Sequence, residues 1–204
     1  MIKLLTTPGR GLRRMIARLA VDTSGLSAIE FALIAPLMLV MFFGTIEISQ
    51  GYGVSRKVAI AARTLSDLAS RSTSLNDTDI TNFRAILNAV MLPYPAVPLQ
   101  ATVTQVYIDP KTGAARTQWS KGSAAIKSGD VVAIPASLIG RDSSGKIMPD
   151  QYLIVSKTSY HYTPAVGQIL GKTGVTLEEA AYTRPRQSVC VNYAPDKGPS
   201  CVPK

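Results

Sequence analysis

One hydrophobic run constrains the fold of this chain more than any other feature of its sequence. Residues 26–46 form a run of 21 residues that contains a single charged side chain, Glu30. About 20 apolar residues in a helix span the hydrocarbon core of a bilayer. No small-x-small cleavage motif directly follows the run, so it lacks the form of a removable secretory signal. We therefore expect one membrane-spanning helix that remains in the protein.

The distribution of charge predicts the orientation of this helix. The chain has a net charge of +9, and the segment before residue 26 contains five cations but only one acid, Asp22. The cations are Lys3, Arg10, Arg13, Arg14 and Arg18. By the positive-inside rule, we expect the N-terminus in the cytoplasm and the chain beyond residue 48 in the periplasm, on the outer side of a bacterial inner membrane. The remainder keeps a net charge of +5 without a basic stripe, which argues against a nucleic-acid partner.

The basic leader, residues 1–25, leaves two interpretations open. Within residues 10–19, apolar side chains recur at helical spacing between arginines, a pattern typical of a short amphipathic helix on an anionic membrane surface. A stretch this short is equally consistent with a disordered basic segment.

The membrane helix is expected to continue beyond the bilayer. In residues 54–69, apolar side chains recur every three or four positions between polar ones, which predicts an amphipathic helix. Pro36 is expected to kink the membrane segment. A second, short helix should begin at Asn76, a helix-capping residue with Asp79 three positions later, and should end before Pro93.

Downstream of the second helix, the sequence pattern changes to that of strands. Segments rich in β-branched and aromatic residues predict strands at residues 99–108, 114–119, 131–134, 152–162 and 175–182. We predict an α+β fold in which a small, mainly antiparallel sheet packs against the long helix. The predicted organisation is a leader in residues 1–25, a transmembrane and amphipathic helix in residues 26–72, and a periplasmic α+β domain in residues 73–204.

The sequence indicates neither a metal site nor a catalytic set. Cys190 and Cys201 form no Cys-x-x-Cys motif, and the single histidine, His161, is distant from both in sequence. Two cysteines alone in an exported domain are expected to form a disulfide that closes a short loop. Glu178 and Glu179 are adjacent, so a strand would place them on opposite faces. We therefore expect no cofactor and no enzymatic activity.

The residues at the start of the hydrophobic run carry the clearest functional signal. Gly25 precedes the run, Glu30 follows five positions later, and Phe31 comes next. A small residue leaves the backbone accessible to a membrane peptidase, so cleavage between Gly25 and Leu26 is expected. A carboxylate in a bilayer costs about 2.5 to 3.5 kcal/mol at the centre and less near the edge, and therefore indicates a function. We expect Glu30 to neutralise the new ammonium group of Leu26 on a neighbouring subunit, which would set the register of stacked helices.

Through these residues the sequence resembles the TadE-like minor pseudopilins of tight-adherence (Flp) pilus systems. The resemblance is strong over residues 25–50, which include Gly25, Glu30 and Phe31. It is looser in three further segments, residues 118–120, 159–164 and 184–186. The resemblance implies a pilin-like fold, cleavage after Gly25 by a prepilin peptidase, and a low-abundance subunit that supports assembly of a pilus built mainly from a smaller pilin.

The resemblance also implies partners and leaves an alternative. The partners would be the prepilin peptidase, other pilins and minor pseudopilins, and the pilus assembly platform of the inner membrane. Incorporation of the subunit into the extracellular pilus stays open. N-methylation also stays open, because type IV pilins usually have a methylated phenylalanine where this chain has Leu26. The alternative is an uncleaved single-pass anchor with a periplasmic binding or adhesin module. A mature N-terminus at Leu26 would favour the pseudopilin, and one at Met1 the anchor.

Overall fold

The computed structural model describes Met15, residues 24–164, residues 174–194 and Cys201. Apart from Met15, the predicted leader helix lies outside these residues. Contacts divide the chain into two compact units, one up to Ile46 and the other from Glu47. The first helix, α1 (Ser24–Ser70), contributes residues to both units, in agreement with the long helix that the sequence predicts.

In the first unit, helix α1 is apolar on every side. Its side chains between residues 26 and 43 are largely exposed, and those with more than half of their surface accessible include Leu26, Phe31, Leu33, Val40 and Met41. The most apolar window of α1 has a mean hydropathy of 2.2, and none of it is buried. A helix that is hydrophobic all round is typical of a membrane span. Among the described residues, α1 is the one helix long and apolar enough to cross a membrane.

The second unit is built on a four-stranded antiparallel sheet in the order β3-β2-β4-β5. The strands of the described residues are β1 (Ser74–Leu75), β2 (Leu99–Ile108), β3 (Ala115–Gly122), β4 (Gln151–Tyr162), β5 (Val175–Thr183) and β6 (Asn192–Tyr193). The two central strands pair along their whole length, from Leu99 opposite Tyr160 to Ile108 opposite Gln151. The structure thus confirms the α+β fold and four of the five predicted strands, within a residue or two at their ends except for β3, which extends three residues further.

Residues 54–69 of α1 pack against this sheet, as the amphipathic pattern predicts. The buried apolar side chains of this part of the helix are Val54, Val58, Ala61, Ala62, Leu65 and Ala69. Two hydroxyl groups of β4 reach helix carbonyl groups: Ser156 Oγ donates to the carbonyl oxygen of Ala62 at 2.5 Å, and Thr158 Oγ1 to that of Val58 at 3.1 Å. A buried hydroxyl group without a hydrogen-bond partner destabilises the folded state. These two bonds therefore allow Ser156 and Thr158 to lie between helix and sheet without that cost.

Helix α2 (Asp77–Met91) begins at its predicted cap. The side chain of Asn76 accepts a hydrogen bond from the backbone N–H of Asp79 at 3.0 Å, and the Asp79 carboxylate accepts one from the N–H of Asn76 at 2.9 Å. This reciprocal arrangement satisfies two amide groups that have no partner within the helix. Phe83, Leu87 and Met91 form its buried face.

The prediction of a strand at residues 131–134 is wrong. Only an isolated bridge joins Val131 to Arg116 of β3. The N–H of Val132 donates to a carbonyl group of β3 at 2.8 Å. Pro135 then follows without an N–H group, so the pairing does not develop into a strand.

One pairing in the structure has no counterpart among the predicted elements. Strand β1 pairs in parallel with β6, which brings Ser74 opposite Asn192 and Leu75 opposite Tyr193. Each strand has only two residues, and a segment that short has no periodicity from which a strand can be recognised.

We predict that Ser156→Ala destabilises the second unit by about 0.5 to 1.5 kcal/mol, because the mutant loses a buried hydrogen bond between β4 and α1. The measurement is chemical denaturation of the full chain in detergent, followed by the fluorescence of Trp119, the single tryptophan. Ser159→Ala is the matched control, since this partly exposed serine lies on the same strand but on its other face. Equal stability losses in the two variants would contradict the role given to the bond.

Candidate functional site

The predicted cleavage site lies in the first turn of α1. Gly25 is the second residue of the helix, and a Cβ atom placed on it would meet no atom within 4 Å. The side chain of Leu26 is 59% exposed. An accessible peptide bond is what a peptidase that binds extended backbone requires.

The predicted assembly residues follow one turn later. Glu30 and Phe31 are exposed, and Phe31 has 70% of its surface accessible. Glu30 comes four positions after Leu26, so both side chains lie on the same side of the helix. Within the part of the chain that the structure describes, no group forms an ion pair or hydrogen bond with the Glu30 carboxylate. The helix therefore presents a carboxylate beside the position at which cleavage would create a positive charge.

Glu47, the other carboxylate near the apolar run, has a different environment. It is the first residue of the second unit and is partly buried. The hydroxyl group of Tyr162 donates to Glu47 Oε2 at 3.4 Å. Burial and the nearby Glu47 carboxylate raise the pKa of Tyr162, so the tyrosine stays a neutral donor. Glu47 thus has a partner in its own chain.

The C-terminal segment is held against the sheet by buried polar contacts that the sequence analysis missed. The N–H of Val191 donates to Gln105 Oε1 at 2.6 Å, and the indole N–H of Trp119 donates to the carbonyl oxygen of Val191 at 2.8 Å. All three residues are buried. A glutamine in the middle of an apolar strand was the available signal, because such a side chain needs a partner.

The two cysteines lie at this same segment. Cys190 and Cys201 are joined by a disulfide in the structure, with their Cα atoms 6.0 Å apart. Val191 directly follows Cys190, so its contacts with Gln105 and Trp119 lie at the start of the loop that the disulfide closes. The hydroxyl group of Tyr152 also donates to the carbonyl oxygen of Cys201 at 3.5 Å.

Two of the segments with looser resemblance have structural roles. Arg186 forms an ion pair with Asp67 of α1 at 2.8 Å, and its N–H donates to the carbonyl oxygen of Ser70. Arg184 donates to the carbonyl oxygen of Leu138 at 3.1 Å. In the other segment, the exposed ring of His161 lies 3.4 Å from the hydroxyl group of Thr176. In the described part of the chain, no three metal-ligating side chains form a group that would hold an ion.

The comparison with known families concerns this same helix. A family model described as TadE-like protein matches residues 25–66, which confirms the resemblance predicted from the sequence. The matched segment begins at the glycine of the predicted cleavage site and includes the entire apolar run. No curated protein sequence and no solved structure matches the chain.

We predict that Cys190 and Cys201 are oxidised in cells and that the bridge stabilises the second unit by about 2 to 4 kcal/mol, mainly by restricting the unfolded chain. Thiol alkylation of the denatured, non-reduced protein should label neither residue. Cys190→Ser is the positive control, because it leaves one free thiol that must be labelled. Labelling of the wild-type protein to the same degree as the reduced protein would refute the bridge.

Proposed function

We propose that this chain is a minor pseudopilin of a tight-adherence (Flp) pilus, cleaved after Gly25 by a prepilin peptidase and required for pilus assembly. The observation that carries the proposal is the TadE-like match over residues 25–66, which begins at Gly25 and includes the apolar run, whose side chains are exposed on every side of the helix. The TadE-like family consists of pilus-associated structural components and is not an enzyme family. The match therefore favours a structural role for the chain over catalysis.

The first step in the proposed sequence of events is insertion of α1 into the inner membrane. The five cations before residue 26 keep the N-terminus in the cytoplasm, and the second unit enters the periplasm. One apolar helix fits a single-pass anchor. This orientation places Gly25 at the cytoplasmic edge of the bilayer, where the leader can be removed.

Cleavage then changes the electrostatics of the helix start. It removes a net charge of +4 with the leader and creates an α-amino group on Leu26. A charge close to the apolar core is stable only with a counter-charge or water. Glu30 supplies the counter-charge. Because Glu30 comes one turn after Leu26, a neighbouring helix displaced along the common axis brings its Leu26 ammonium beside this carboxylate.

The exposed apolar surface of α1 supports assembly with other helices. Side chains such as Phe31, Leu33 and Val40 contact no other part of the described chain to any large extent. In a membrane these side chains contact lipid, and in a fibre the helices of other pilins would replace that lipid. Lipid and leucine are equally apolar, so replacing lipid by a helix gains nothing from the hydrophobic effect. The exchange therefore depends on close packing and polar pairing between the helices. Glu30 supplies the polar pairing.

We predict that Gly25→Leu abolishes the mature form, because a branched side chain blocks access of the peptidase to the backbone. Precursor and mature protein are separated by gel electrophoresis, and N-terminal sequencing of the mature form should begin at Leu26. Gly44→Leu is the matched control. It makes the same change in the same helix, where a Cβ atom also meets nothing within 4 Å, and it should be processed like wild type.

Equal amounts of mature protein from the Gly25→Leu variant and wild type would contradict cleavage at this site. A mature wild-type N-terminus at Met1 would instead favour the uncleaved anchor with a periplasmic binding or adhesin module.

We predict that Glu30→Ala permits insertion and at least partial cleavage but prevents assembly. The variant helix is more apolar and still inserts, whereas the Leu26 ammonium of the neighbouring subunit loses its partner in a medium of low dielectric. The measurements are the precursor-to-mature ratio, crosslinking to other pilins, and the number of pili on the cells. Glu30→Asp keeps the charge on a shorter side chain and should restore part of the crosslinking.

If the Glu30→Ala variant crosslinks and supports piliation like wild type, Glu30 is only a tolerated charge at the membrane edge. If crosslinking persists but cleavage is lost, the carboxylate acts in recognition by the peptidase and not between subunits.

A further inference from the structure

The end of the second unit that includes Glu47 is assembled from four segments. These are residues 47–54, 92–98, 160–162 and 175–177, which we call the juxtamembrane face. In α1, a Cβ atom on Gly53 would lie only 2.5 Å from the hydroxyl oxygen of Tyr94, so the second segment contacts the first closely.

Two further contacts join the remaining segments of this face. The hydroxyl group of Tyr160 donates to the carbonyl oxygen of Pro95 at 3.0 Å, and that of Tyr162 donates to Glu47. Tyr162 also pairs with Val175 across the sheet. The four segments therefore form one continuous surface around the helix residues that directly follow the apolar run.

Large apolar side chains are concentrated on this face. Those with more than half of their surface exposed are Ile48, Tyr52, Leu92, Val97 and Val175, and Val97 reaches 95%. In the rest of the described second unit, only Val131 and Val189 are exposed to that degree. A contiguous apolar patch of this kind marks an interaction surface.

The composition of the face identifies the partner as lipid. Four of the eight tyrosines of the chain belong to it: Tyr52 is exposed, Tyr94 and Tyr162 are partly buried, and Tyr160 lies beneath them in the core. Tyrosines aside, Glu47 and His161 are the only acid or base in these segments, and no lysine or arginine is present. Exposed aliphatic side chains together with tyrosines and few charges are typical of the boundary between headgroups and acyl chains.

The position of the face along the chain supports the same partner. Ile48 and Tyr52 follow Ile46, the last residue of the apolar run, by two and six positions, which is about 3 and 9 Å along a helix. The interfacial layer of a bilayer has a comparable depth. Side chains this close to the end of the span cannot be far from lipid headgroups when α1 is inserted.

We propose that the juxtamembrane face docks into the interfacial layer of the bilayer, with Leu92, Val97 and Val175 among the parts of the acyl chains next to the headgroups and the exposed side chain of Tyr52 among the headgroups. The proposal rests on the membrane insertion of α1 but not on cleavage or pilus assembly. Because the face has no lysine or arginine, its docking requires neither anionic lipid nor low salt. Removal of the subunit from the membrane then has to release this face as well as the helix.

The test uses the full chain in vesicles of phosphatidylcholine brominated either near the headgroup or deep in the acyl chains, because bromine quenches only tryptophan at its own depth. The shallow label tests the face, and the deep label tests insertion of α1. Val97→Trp places a tryptophan on the face at its most exposed position. Val131→Trp is the matched control, since Val131 bridges to Arg116 near the other end of β2, roughly 25 Å away along the strand. Met38→Trp reports insertion of α1, and the buried Trp119 provides a common background.

We expect the fluorescence of Val97→Trp to be quenched several-fold more strongly than that of Val131→Trp, equally at low and high salt, and to be protected from aqueous acrylamide. Quenching of Met38→Trp without excess quenching of Val97→Trp would overturn the docking and leave the proposed function intact. Absence of quenching in Met38→Trp would overturn both the docking and the membrane insertion. Docking that disappears at high salt would also contradict the proposal, because the apolar contact argued here is not screened by ions.

Discussion

The structure of this protein depends on one helix whose two parts meet different environments. Up to Ile46, helix α1 has apolar side chains in every direction and little polar surface. From Val54 onward, most of its apolar residues lie on the side that packs on the sheet, with Ile60 exposed as the exception, and charged residues such as Arg63 and Asp67 occupy other positions. The second part buries its apolar side chains against the sheet, whereas the first part has the all-round apolar surface that is typical of a membrane span. The sheet, the second helix and the C-terminal segment are all arranged around the second part.

Alanines and hydroxyl groups make this arrangement compact. Ala61, Ala62 and Ala69 are almost fully buried, and their small side chains let the helix backbone approach β4. At that distance, Ser156 and Thr158 can donate directly to helix carbonyl groups. These bonds are directional, whereas apolar contacts are not. The two bonds therefore fix the rotation of α1 and its position along β4 more narrowly than apolar packing alone would.

Much of this architecture was predictable from the sequence, and the exceptions have physical causes. The apolar run and the Asn76–Asp79 cap are local signals, and the structure contains both features where the sequence places them. The pairing of β1 with β6 depends on residues more than 100 positions apart in the chain, and neither segment contains a local signal. The strand expected at residues 131–134 ended early because of Pro135, whose effect on pairing outweighed the β-branched residues before it.

The residues of the candidate site likewise differ in how far the sequence predicts them. Gly25, Glu30 and Phe31 can be proposed from the sequence because an isolated carboxylate after a glycine is unusual in an apolar run, and the family match begins at this glycine. The partners of buried Gln105 were not found, because a polar residue in a strand does not reveal which distant segment it contacts. Features that depend on neighbouring residues could thus be predicted from the sequence, whereas contacts between distant segments could not.

The pairing of β1 with β6 also has a consequence for the order of events during export. In a chain that enters the periplasm behind its membrane helix, β1 emerges soon after the span and β6 emerges almost last. The contacts of Val191 with Gln105 and Trp119 form equally late. Until then, the amphipathic half of α1 and the central strands are exposed to the solvent with an unfinished core. A chain exported in this order would therefore stay open to aggregation until β6 and Val191 have been translocated.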